Sequence, residues 1–222
     1  MTDCAYLGVL ISLASYCIGA KLKNKFRCPL FNPLVISGLL TIALLLLLKI
    51  PYESYRADAK WISYLLTPAT VSLAVPLYEQ VHVLKKNTLA ILTSILAGVI
   101  TSLVCVGLIA LFFSLDRASL VTLLPKSITT AIGMPLSGQL GGNTSITVAA
   151  IIITGVVGNT FAEGFLKLIR VTHPVAKGLA IGTSAHAMGT ARAMEMGEVE
   201  GAMSSLSIAL AGLLTVLLIQ FI

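Results

Sequence analysis

Apolar residues in this chain come in blocks near the length needed to cross a bilayer core. They predict six full spans, at residues 6–20, 33–48, 62–78, 88–115, 145–168 and 202–222. Two further segments, 120–140 and 176–196, break the pattern by placing Gly or Pro, hydroxyls and an ionisable side chain inside apolar sequence. In hydrocarbon every backbone N–H and C=O needs a partner, so a broken helix fits only where its backbone lines a polar cavity. Ionisable groups at such places mark a solute or ion path by default. The pattern therefore predicts an all-α, polytopic membrane protein of about six full spans and two broken hairpins, with residues 1–222 forming a single domain.

Charge sets the orientation. The cationic residues gather at 21–27, 82–86 and 167–177, and positive loops stay on the cytoplasmic side. Residues 51–60 hold Glu53, Arg56, Asp58 and Lys60, which balance, and read as an outside loop. This count puts both termini outside. It keeps Lys167, Arg170 and Lys177 inside only if segment 120–140 enters and turns back. Segment 176–196 then enters from the opposite face, as an inverted repeat requires. A short internal echo points the same way: Thr130-Ala-Ile-Gly133 against His186-Ala-Met-Gly189, with Ser127 facing Thr183.

Composition removes several classes. At 57% hydrophobic and 11% charged, the chain carries more apolar surface than a soluble fold of 222 residues can hide. The net charge of +6 lies mostly in three loops and reads as topogenic, which leaves the lipid bilayer as partner and no nucleic acid. Lys21, Lys23, Lys25 and Arg27 follow the first apolar block, so it reads as a retained helix and not a secretory signal. Cys4, Cys17, Cys28 and Cys105 lack metal-ligand or redox spacing. No metal, cofactor or catalytic residue is implied, and no enzyme is expected.

Candidate chemistry concentrates in the two broken segments. Lys126, after Pro125, could pair with a carboxylate, helped by Ser127, Thr129 and Thr130 and by the N-terminus of a half-helix. It could equally snorkel to the interface. Thr183, His186 and Thr190 share one face if their segment is helical, flanked by Gly182 and Gly189, which permit close approach. His186 could bind an anion or carry a proton, or could bond across a helix interface. Ser184 joins this wall. Arg192 can grip a carboxylate with two parallel hydrogen bonds, while Glu195, Glu198 and Glu200 read as a solvated end. Asn159 and Glu163 are open between an ion site and the interface.

Several of these stretches, in order along nearly the whole chain, resemble the LrgB/CidB family: Asn32-Pro-Leu-Val35, the run from Pro68 to Gln80, Pro125-Lys-Ser127, Gly182-Thr-Ser-Ala-His-Ala-Met-Gly-Thr-Ala191 and the run from Gly197 to Leu206. Ala131 departs from the proline expected in many relatives. The resemblance implies a bacterial inner-membrane protein working beside a smaller LrgA/CidA-type partner, with room for a homo-oligomer. It also implies a link to murein-hydrolase regulation and lysis, and, through related pairs and a plastid relative, to pyruvate, glycolate or glycerate. The resulting expectation is a transporter of small monocarboxylates by alternating access. Its site would combine Lys126, Ser127, Thr129 and Thr130 with Thr183, Ser184, His186, Gly189, Thr190 and Arg192. The alternative is a holin-associated regulator of murein hydrolases.

Overall fold

The computed structural model describes residues 6–26, 33–65, 68, 71–72, 74–86 and 88–222, and these are helical throughout apart from their connections. Cys4, Arg27, Cys28, Asn32 and, within the predicted span 62–78, residues 66, 67, 69, 70 and 73 lie outside the described residues. The chain divides into two compact units, Met1–Ser72 and Leu73–Ile222.

In the first unit α1 (Leu7–Phe26) packs on α2 (Pro33–Leu47) and α3 (Tyr52–Tyr64). Gly8 and Gly19 allow the close approach, with the Tyr55 carbonyl against one and Pro33 against the other. Ser12 bonds the Tyr55 hydroxyl at 2.8 Å, and the Gly8 N–H donates to Asp58 at 3.4 Å. The sequence 51–60 is thus not a loop but most of a helix. Glu53, Arg56 and Lys60 follow a helical period on the exposed side and leave Tyr55, Asp58 and Ala59 facing α1.

The second unit begins with the short helices α4 (Ala74–Glu79) and α5 (Val81–Lys86) and continues with α6 (Thr88–Phe112). After it come α7 (Arg117–Leu123), a 3₁₀ turn (Leu124–Ser127) and α8 (Thr130–Gln139). The last elements are α9 (Thr144–Leu168), α10 (Pro174–Met196) and α11 (Glu198–Ile219). Among the described residues α6, α9 and α11 are long and apolar enough to cross a membrane. On α6 the buried stripe Ile91, Ile95, Val99, Leu103 and Val106 follows the helical period and meets Val121, Leu124, Leu136, Leu179 and Met203 in one core.

Both atypical segments break where the sequence pattern does. In the first, Ile128 and Thr129 are extended, and α8 then runs back along the incoming arm. A Cβ on Gly133 would lie 3.3 Å from the Pro125 carbonyl oxygen, so the arms touch with only a glycine between them. Thr147 ties the base, its hydroxyl lying 2.9 Å from the Thr122 carbonyl oxygen and 2.7 Å from the Ser137 hydroxyl. Asp116 caps α7 through the Ser119 N–H, and its bonds to Ser119 hold the carboxyl below the usual carboxylate range. Gly141, at φ +85°, turns the chain into α9, which Asn143 caps through the N–H groups of Ser145 and Ile146.

In the second segment helical geometry fails at Ala185 and His186, and again the arms meet: a Cβ on Gly189 would lie 3.3 Å from the Ile181 carbonyl oxygen. Pro125 with Gly133, and Ile181 with Gly189, stand at the same offset as the sequence echo. Helix α11 lies against both arms, Gly178 and Gly182 meeting the Glu200 and Ser204 carbonyls and Gly201 meeting Met194. Helix α9 supports the tip.

Candidate functional site

The two broken segments bring their hydroxyls and one cation to a common cavity of about 490 Å³ against α6. Lys126 and Ser127 come from the 3₁₀ turn at the end of the first incoming arm, and Thr183 and Ser184 from the last turn of the second. Lys126 is half-buried. Its ammonium donates to the Ser127 hydroxyl at 3.0 Å, which leaves two of its roughly three N–H donors for a ligand. Among the described residues none lining the cavity is acidic. An ammonium withdrawn from water with no carboxylate beside it favours an anion as its missing partner. A second cavity of about 540 Å³ flanks the other side of the same arm, with Lys126, Ala180 and Ser184 common to both and Phe161 and Phe165 forming an apolar wall.

The remaining predicted residues lie elsewhere. His186 is 4% exposed; its Nε2 sits 2.9 Å from the Ile151 carbonyl of α9. Its ring fills the notch left by Gly155, while Ala185 fills that of Gly158. The backbone at His186 takes φ +43°, a conformation that costs a residue with a Cβ. Thr190 is fully buried, donating to or accepting from Ser204 at 2.7 Å and donating to the His186 carbonyl at 3.0 Å. Gly189 faces the opposite arm. The spacing of Thr183, His186 and Thr190 put them on one face only for a continuous helix; the break at Ala185–His186 sends Thr183 to the cavity and the other two into packing. Thr129 and Thr130 sit at the first break and are partly buried, and neither is among the residues lining the two cavities.

Arg192 has carboxylate partners within the protein. It pairs with Glu163 of α9 and with Glu195, and Glu163 also receives Lys167 at 2.7 Å. Asn159 donates to the Met188 carbonyl at 2.7 Å. The outgoing arm of the second segment is therefore tied to α9 by side chains from both elements, and Asn159 and Glu163 serve that contact.

One wall of the cavity was not foreseen. Ser94, Gly98, Thr101, Ser102 and Cys105 line it from α6. The only signal was their spacing, a strip of small and hydroxyl residues along one helical face of an otherwise apolar span. Ser102 and Ser127 hydroxyls are 3.0 Å apart, joining that wall to Lys126. Among the described residues no group of three His, Cys, Asp or Glu is placed to hold a metal ion.

The LrgB-like family model matches residues 12–222. The antiholin-like protein LrgB of Bacillus mycoides (strain KBAB4) is 43% identical over 215 residues, covering 96% of this chain and 94% of that protein. The proteins of the same name from Bacillus cereus (strain B4264) and Bacillus anthracis (strain CDC 684 / NRRL 3495) are each 42% identical with the same coverage. No solved structure matches. The chain belongs to the LrgB-like family, as an all-α, multi-pass membrane protein.

Proposed function

We propose that the chain acts in the bacterial inner membrane as an antiholin-like protein, restraining murein-hydrolase activity and lysis beside a smaller LrgA/CidA-type partner. The observation that carries this reading is the likeness, along nearly the whole chain, to relatives that bear the antiholin-like name. Host cells lacking the protein should autolyse faster, and re-expression together with the partner should restore the slower rate. Autolysis that is the same with and without the protein contradicts the reading.

A second reading is favoured by a specific feature: a half-buried ammonium, Lys126, facing a cavity with no acidic residue among the described lining residues. On this reading the protein carries small monocarboxylates of the pyruvate, glycolate or glycerate type by alternating access. Lys126, Ser127, Thr183 and Ser184 face the solute. Thr129 and Thr130 form the first bend, and His186, Gly189, Thr190 and Arg192 hold the second segment in place. The two segments re-enter the membrane from opposite faces as an inverted repeat, with both termini outside. The matched glycine contacts, Gly133 on Pro125 and Gly189 on Ile181, support the duplication. Uptake of radiolabelled pyruvate, glycolate and glycerate into proteoliposomes, with and without the partner, tests this reading; absence of flux for all three under both conditions contradicts it. A cysteine at Thr172 tests the orientation, since the re-entrant arrangement keeps it unlabelled by an impermeant reagent added outside.

A further inference from the structure

The cavity's hydroxyl groups are not equivalent. Thr183 donates to the Leu179 carbonyl at 2.7 Å and Ser184 to the Ala180 carbonyl at 2.7 Å, so both protons are spent on their own helix. Their oxygens offer lone pairs, which do not attract an anion. Ser127 differs, because it accepts from Lys126 at 3.0 Å and lies 3.0 Å from Ser102. With Lys126 donating into Ser127, the Ser127 hydroxyl can donate its hydrogen bond to the Ser102 oxygen, and the Ser102 hydroxyl is then left with its own proton to offer. A donor polarised through a chain of hydrogen bonds that starts at an ammonium is stronger than an isolated hydroxyl.

We propose that Ser102, on α6, is a ligand-contacting residue that sets the specificity of the cavity: Lys126 takes the carboxylate, and Ser102 takes an oxygen on the neighbouring carbon. This rests on the second reading above. Gly98 leaves the α6 wall low beside it, where a Cβ would meet the Thr183 hydroxyl at 3.1 Å. Leu179 and Ala180 complete an apolar side suited to the carbon atoms of a small acid. Among the described lining residues Lys126 is the one charged group, so a dianion would keep one carboxylate unpaired and malonate is disfavoured.

Cys105 lines the same cavity and supplies a reporter. In the full chain with Cys4, Cys17 and Cys28 replaced by serine, Cys105 is reacted with anionic methanethiosulfonate ethylsulfonate while glycolate, propionate, glycolamide or malonate is titrated. Glycolate should protect best, propionate about threefold to tenfold less well for the loss of one hydrogen bond, and the amide and the dianion not at all. Ser102→Ala should erase the gap between glycolate and propionate, Ser102→Thr should keep it, and Lys126→Gln should erase all protection. A glycolate preference that survives Ser102→Ala, or no protection by any of the acids, overturns the proposal. Glycolate flux measured on the same protein separates the two claims. Protection without flux keeps Ser102 in its role and removes the carrier reading; flux without protection at Cys105 does the reverse.

Discussion

The two broken segments look alike in sequence and are used in opposite ways. Each turns at a non-helical pair, each closes its arms over a glycine, and each carries an ionisable residue near the turn. In the first, the break at Ile128–Thr129 is ordinary extended backbone and Lys126 faces a cavity. In the second, the break passes through His186 at φ +43°, with the imidazole turned inward to the Ile151 carbonyl. One segment presents its ionisable group and the other buries it as an anchor. A polar residue in an apolar segment therefore announces a break in the helix, but its role depends on which neighbour supplies its partner. Lys126 finds one serine; His186 finds a backbone carbonyl and a glycine notch.

The largest expected effect breaks the second segment outright. Gly182→Val drives a side chain into the Ser204 backbone oxygen and the Ser207 Cβ, and neither can move without shifting α11. No folded protein should be recovered by size-exclusion chromatography in detergent. Gly138→Ala in the first segment meets only the Thr144 methyl at 3.1 Å and should be tolerated. A folded Gly182→Val protein would show that the second segment is not packed as described.

Next in size is the anchor itself. His186→Ala leaves the Ile151 carbonyl without its Nε2 partner and empties the Gly155 notch, which should cost roughly 1–3 kcal/mol. Thermal unfolding should move down by several degrees. His186→Gly removes the same contacts but relieves the positive φ, so it should be less destabilising than His186→Ala. The reverse order would mean that the strain at His186 is not stored in its backbone.

Smaller still is the tie between the second segment and α9. A double-mutant cycle on Arg192 and Glu163 should give a coupling of about 1 kcal/mol, as expected of a partly exposed pair. Zero coupling would leave Asn159 as the principal side-chain tie. The smallest effect belongs to the first segment. Asp116 has its carboxyl pKa lowered on folding by Ser119, so its contribution is present above the ordinary carboxylate pKa and fades as pH falls through the lowered value. Asp116→Asn should remove that part of the acid dependence of stability, with its small loss seen near neutrality and none in strong acid.

Much of this was legible in the sequence. Glycine, proline and hydroxyls in apolar runs foretold both breaks, because hydrocarbon penalises an unsatisfied backbone wherever it occurs. Lys126, Ser127, Thr183 and Ser184 were picked out by type and do share a cavity. The α6 wall was hidden, because Ser94, Thr101 and Ser102 are small residues that suit helix packing as well as a cavity, and only the fold decides between these uses. The stretch 51–60 misled because its balanced charge suggested a loop, whereas an amphipathic helix needs only one side to pack. Arg192 could not be assigned from sequence, since its partner Glu163 is distant along the chain and close only after α9 and α10 pack.

The contrast between the two segments is tested most directly by equilibrium binding of radiolabelled pyruvate to purified wild type, Lys126→Gln and His186→Ala, each kept below its own unfolding temperature. The account predicts that wild type binds, that Lys126→Gln loses affinity by about one to two decades for a charge-assisted hydrogen bond while its unfolding temperature stays put, and that His186→Ala unfolds earlier but binds as tightly as wild type. Absence of binding to the wild type, unchanged affinity in Lys126→Gln, or lost affinity in His186→Ala without lost stability would contradict it.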